Sequence, residues 1–348
     1  MQPLHECLSR IQDKLTAWWE YADQKNPCLL ITLPVEGVAP LAYTEDLRRH
    51  WFDVEYVIQH AMHAIEYTRY LGVSAPAHFP QLGSAAMAGV LGARMEYIDQ
   101  RTIWPYPSGK SLEEIMEIGL DPQNEYYSTL LEITRRSVAL SRGHHWVAPY
   151  PLEGPGDCLE GVYGALNLFA AMVEQPRAVK AAIDHFTRLW IQAFDEVGRI
   201  IESAGNPGGI GWAGIWAPGR TFPLQEDFSF NLSPAMFRQF LLPSLHDLVQ
   251  AMPYPMFHLD GTTAHLPALL EIPGLRAIQW VPGPNHQAIA PWYDLLRTIK
   301  ARGKSIEVFC TPDEVDDLVA NVGARGLLIG LSDFTPEEAE GLLEKYGD

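Results

Sequence analysis

A chain of 348 residues that is 47% hydrophobic and 20% charged can bury a large core. Its formal charge of −18, from 43 acidic against 25 basic residues, leaves no basic stripe and excludes a nucleic-acid partner. No apolar run reaches the roughly 18–20 residues of a membrane span. The opening MQPLHECLSRIQDKL has no apolar signal region. A soluble, cytoplasmic protein is expected. Cys7, Cys28, Cys158 and Cys310 form no CxxC pair, which fits a reducing compartment.

In chain order, residues 1–27 read as a helical extension that closes the bottom of a following domain, 28–348. An apolar run at 28–33 (CLLITL) predicts the first strand, and helical spacing follows over 47–70. A second strand is expected at 73–80. The alternation of 92–105 predicts a hairpin inserted after it. Helical spacing at 123–142 leads to a strand at 145–150, then to a long helical stretch over 158–204, broken near Pro176. A glycine-rich strand is expected at 208–216. The surrounding glycines, 205–219, lack GxxxxGK[ST] and are no phosphate loop.

Four more strands are expected at 254–260, 276–281, 305–310 and 326–331, with helices at 234–251, 263–272, 288–302, 312–322 and 336–346. Ser233-Pro234 supplies an N-cap followed by proline at the first helical position. Thr311-Pro312-Asp313-Glu314 and Thr335-Pro336-Glu337-Glu338 are both capping boxes. Strand followed by capped helix, repeated, marks parallel βα units. No GxGxxG follows an early strand. The expected fold is α/β, a single (β/α)8 barrel.

Reactive groups of such a barrel lie at the C-terminal strand ends and on the loops beyond them. His258-Leu259-Asp260-Gly261 ends the fifth strand. Residues two apart on a strand share a face, so His258 and Asp260 are expected to project together as catalytic groups. An imidazole and a carboxylate there either bind a metal or act as base and orienting group. A hydrogen-bonded pair that only holds the loop is the plain structural alternative.

His78, Trp212, Trp216, Arg220, Asp227 and Gln279 are the expected substrate-binding residues, and Cys310 ends the seventh strand. Ordinary core packing is the competing role for the tryptophans, and a surface ion pair is the competing role for Arg220. Of Gln279 and Trp280, one must face outward. Glu226-Asp227 either meets a substrate or complements the helix at Ser233. His144-His145 precede a strand at its N-terminal end and are set aside, and His265 is a lesser candidate.

The segments DFSFNLSPAMFRQFLLPSL, PMFHLDG and GLRAIQWVPG, with LGARMEYIDQRTIWPYPSGKSLEEI upstream, resemble the uroporphyrinogen decarboxylase superfamily over about residues 47–346. The resemblance implies a (β/α)8 barrel, often dimeric, and two chemistries. One branch decarboxylates uroporphyrinogen through an arginine-bearing N-terminal segment. Here CLLITLPVEGVAPLAY holds no arginine, so that activity is not expected.

The other branch comprises the cobalamin- or corrinoid-dependent methyltransferases, in which a His-x-Cys pair and a distant cysteine hold zinc. His258 matches the family histidine, Asp260 stands in place of the first cysteine, and Leu331-Ser332 lies near the second. Cys310 is the remaining candidate third ligand, giving His258, Asp260 and Cys310 as the expected zinc set. A metal-free site is equally open.

Three functions follow as expectations. The first is a methyltransferase-like enzyme moving a methyl group between a small substrate and a corrinoid on a partner protein. The second is a metal-independent lyase or decarboxylase in which Arg220 clamps a small carboxylate. The third is a barrel without catalysis that binds a ligand.

Overall fold

The computed structural model describes residues 3–283 and 288–347. Its strands are β1 (Cys28–Pro34), β2 (Thr68–Gly72), β3 (Ala77–His78), β4 (Arg94–Tyr97), β5 (Ile103–Tyr106), β6 (Trp146–Val147) and β7 (Gly209–Ile210). They continue with β8 (Trp216–Ala217), β9 (Thr221–Leu224), β10 (Tyr254–Asp260), β11 (Ala277–Val281), β12 (Ser305–Cys310) and β13 (Leu327–Leu331). The central sheet runs β2-β1-β13-β12-β11-β10-β9, parallel except for β2, which pairs antiparallel with β1. The fold is thus α/β, as expected. The hydrogen-bonded sheet has seven strands and does not close on itself, and β3 and β6 form a separate parallel pair.

The last four expected strands match β10 to β13 within a residue. Their mainly apolar runs are buried on both faces over most of their length. The capping sequences perform as read: Ser233 accepts from the Met236 amide, and Thr311 and Thr335 close full capping boxes. The expected hairpin is the antiparallel pair β4–β5.

Two expectations need correction. The stretch 208–216 is not a central strand. A turn at Gly211–Gly214, with Gly214 at φ +75°, folds it into the antiparallel β7–β8 hairpin. The neighbour of β10 is β9, whose Thr221-Phe222-Pro223-Leu224 is short and proline-bearing and gave no strand signal. The helix expected over 47–70 ends at Tyr67, where the chain turns into β2.

Strand alternation sorts the side chains into two layers. Ile278, Trp280, Ile306, Val308, Leu327 and Ile329 pack outward among the helices, so Trp280 is the outward member of its pair. Cys28, Met256, Ala277 and Leu328 pack with the N-terminal helix Leu4–Trp19. That helix buries Leu4, Cys7, Ile11, Leu15, Trp18 and Trp19 at helical spacing. Burying each large apolar side chain contributes about 1.5–3 kcal/mol. Trp18 Nε1 donates to the Ile306 carbonyl at 3.3 Å and Trp19 Nε1 to the Trp216 carbonyl at 2.9 Å. The extension therefore covers the N-terminal strand ends, leaving the opposite end for a site.

Candidate functional site

The register sets His258, Gln279 and Glu307 side by side on β10, β11 and β12. Neighbouring strands lie about 4.8 Å apart, so three polar side chains in one row on one face must interact. They form a chain. Gln279 Nε2 donates to Glu307 Oε2 at 2.6 Å, and Gln279 Oε1 closely meets His258 Nδ1. An amide that donates to Glu307 presents its oxygen to the imidazole, so Nδ1 carries the hydrogen. Nε2 is then the nitrogen left to accept or give a proton. Glu307 is 1% exposed, and its Oε1 has no hydrogen-bond partner. Burial pushes its carboxyl up to about 8, against the opposing pull of the Gln279 hydrogen bond.

His258 opens on a cavity of about 300 Å³ lined by Phe79, Trp212, Phe222, Glu153 and Asp227. Trp212 meets the imidazole edge-on, with ring centroids 5.3 Å apart, and its Nε1 donates to the Pro223 carbonyl at 2.9 Å. A second cavity, of about 390 Å³, shares Ser84, Glu153, Gln225 and Asp227 with the first, so the two form one cleft. Its outer wall is the β4–β5 hairpin, which presents the exposed Trp104.

Carboxylates crowd the floor of this cleft. Glu153 follows β6, and its Oε2 accepts from the Met87 and Ala88 amides at 2.7 and 3.3 Å. Asp157 lies in the first turn of helix Pro155–Tyr163 and accepts from the Phe228 amide at 2.7 Å. Glu226 accepts from the Gly156 amide at the start of that helix, where a carboxylate meets the positive end of the helix dipole. Glycine leaves room for this contact, because a Cβ on Gly156 would stand 2.5 Å from Glu226 Oε2. Burial holds the Glu153 and Glu226 carboxyls well above the usual carboxylate range, and neighbouring Asp157 adds to both shifts. Burial, then Asp227, raises Asp157 to about 7. Asp227 is also raised, by burial first, with His258 opposing and Asp260 adding.

The expected site residues divide accordingly. His258, Trp212, Asp227 and Gln279 come together at the cleft. Asp260 is solvent-exposed just beyond His258, close enough to raise Asp227. The structure does not bring the others there. Arg220 precedes β9 at the opposite end of the sheet and is held by Glu202 and Asp195 at 2.6 and 2.8 Å. Trp216 packs into the cluster beneath the N-terminal helix, and the turn at Gly214 separates it from Trp212. His78 faces the helix layer, where its Nδ1 meets Ser137 Oγ at 2.9 Å, and burial drives its imidazole down to about 3.

Cys310 lies with Val308 and Trp280 in the outward layer, whereas Glu307 belongs to the row of His258. Burial pushes its thiol up to about 12. Among the described residues no three His, Cys, Asp or Glu side chains come together as a metal-holding group. The residues present do not fit the expected zinc set.

Glu153, Asp157 and Glu307 were missed by the sequence analysis. Glu153 and Asp157 sit in EGPGD, directly after the expected third strand, and the strand-end rule would have found them. Glu307 is the lone charge inside SIEVFC, which was a usable signal. His265, the lesser candidate, is structural: its Nε2 donates to the Ser229 carbonyl at 2.8 Å and its ring stacks on Phe237.

The whole-chain architecture is similar to that of a methyltransferase from Methanosarcina mazei, with a TM-score of 0.61, 13% identity and 96% of each chain covered. At that identity the likeness concerns the fold. No family profile and no curated protein matches the chain.

Proposed function

We propose that the protein is a methyltransferase-like enzyme built on a (β/α)8-type barrel, with β3 and β6 filling the gap in the ring. In this reading it transfers a methyl group from a small substrate to a carrier, and the chemistry sits at His258. The observation that carries the reading is the His258–Gln279–Glu307 chain opening on the cleft. The full-length likeness to a methyltransferase fold supports it by analogy.

A corrinoid held by a partner protein would supply the electron pair that takes up the methyl group. The substrate heteroatom keeps the electron pair of the broken bond to carbon and takes a proton from His258 Nε2. Gln279, itself held by Glu307, keeps the imidazole in one orientation while it carries that proton. No step is routed through a metal, since the side chains do not converge on one.

The lyase reading is less well supported. A small carboxylate needs a cation in the cleft, and Arg220 is committed to Glu202 and Asp195 at the other end of the sheet.

The test is methyl transfer from a panel of methylated amines, ethers and thioethers to reduced cobalamin, followed by its visible spectrum. Wild-type transfer that falls about 100-fold in His258→Ala supports the reading, since general acid–base catalysis contributes about 10²–10⁴-fold. Absence of transfer from every donor, or transfer unchanged in the variant, contradicts it.

A further inference from the structure

The cleft has a charge imbalance that the methyl-transfer reading alone does not explain. Glu153, Asp157, Glu160 and Asp227 line it, Glu226 stands behind them, and no lysine or arginine is among the lining residues. Among the described residues that line it, His258 is the one side chain able to carry positive charge.

Glu153 is only 7% exposed, and its Oε2 takes two backbone hydrogen bonds. One of these carboxyls has unused capacity. Asp157 Oδ2 is buried and has no hydrogen-bond partner, while its other oxygen holds the Phe228 amide. Buried carboxyl oxygens without partners are costly unless something else satisfies them. The remaining wall is aromatic: Phe79, Trp212 and Phe222 on the inner side, Trp104 on the outer.

Carboxylates with aromatic faces and no competing cation are the chemistry that receives an alkylated ammonium group. A bare primary ammonium or metal cation would want converging oxygen ligands, and no such group forms among the described residues. An anion would meet Glu153, Asp157, Glu160 and Asp227 with no lysine or arginine among the lining residues to receive it.

We propose that this cleft binds a small N-methylated ammonium compound, its charge set against Asp227 and Asp157 and its methyl groups against Trp212, Phe222 and Trp104. The inference rests on the methyl-transfer reading only for its role, because it makes the bound cation the methyl donor. The C–N bond then breaks with its electron pair left on nitrogen, the methyl carbon bonds to the carrier's nucleophile, and a quaternary donor leaves as a neutral amine that needs no proton for the bond to break. The cation also supplies the positive charge that the cleft lacks.

The experiment is titration calorimetry with tetramethylammonium, with tert-butanol as a neutral probe of similar shape and with acetate as an anion, without any corrinoid. Tetramethylammonium is expected to bind at least 10-fold more tightly than tert-butanol, and acetate not at all. Asp227→Asn is expected to weaken the cation at least 10-fold, and its exposed position lets the fold tolerate the change. Asp157→Asn keeps an oxygen for the Phe228 amide and is expected to do the same. Equal binding of tert-butanol, or full affinity in both variants, overturns the proposal. Cation binding without any methyl transfer would sink the methyltransferase reading alone, whereas transfer from neutral ethers without cation binding would sink this one alone.

Discussion

Gln279 on β11 donates its side-chain N–H to Glu307 on β12 at 2.6 Å, placing a fully buried carboxyl two side chains away from the cavity. Glu307 loses its proton near pH 8 in the fold, against an ordinary value of 4.5. Its carboxyl therefore stabilises the fold fully below about pH 4.5, and this contribution is lost as the pH rises through about 8. Glu307→Gln removes that loss. The variant is expected to match wild type in urea midpoint at pH 4.5 and to exceed it at pH 8.5, by a difference on the order of a few kcal/mol. The other buried acids are common to both proteins and cancel in the comparison.

Gln279 also orients His258 and is a positioning residue. Gln279→Leu leaves Nδ1 without an acceptor, so either ring nitrogen can carry the hydrogen. The expected result is a 10–100-fold fall in turnover, in line with the cost of losing a group that orients an active-site histidine, together with a displaced pH–rate profile. A purely structural role would lower stability without moving the profile.

Gly156 is fixed by the acid cluster. A Cβ there would meet Glu226 Oε2 at 2.5 Å and Leu241 Cδ2 at 2.7 Å, both buried. Gly156→Ala is expected to cost about 1–3 kcal/mol, the usual range for overpacking. Gly341 lies in helix Pro336–Tyr346 with open space around it, and Gly341→Ala is expected to gain up to about 1 kcal/mol. Thermal melts of the two variants side by side check both.

Cys310→Ala separates the zinc expectation from the observed layering. With its thiol in the outward layer, the substitution is expected to leave turnover and metal content unchanged and to cost about 1 kcal/mol of packing. A collapse of activity with loss of bound metal would restore Cys310 as a ligand.

The later βα units were legible because their strands are buried on both faces and their helices carry explicit caps, as at Thr311 and Thr335. His258 and Asp260 on one face followed from strand alternation alone. What escaped depended on register and on turns. Pairing Glu307 with Gln279 requires the β11–β12 alignment, which no local pattern encodes. Trp212 and Trp216 share parity on paper, yet the turn at Gly214 sends them to opposite ends of the sheet. Arg220 sits one residue before β9, at the start of a strand rather than the end of one, and that single shift removes it from the cleft.

The most direct test of the central claim is a single-turnover rate of methyl transfer from a neutral methyl ether, whose leaving oxygen needs a proton, to reduced cobalamin, wild type beside His258→Ala, at saturating donor. The account predicts measurable transfer by wild type and a fall of about 100-fold in the variant, the low end of acid–base contributions. Equal rates in the two proteins would contradict it and move the chemistry away from His258.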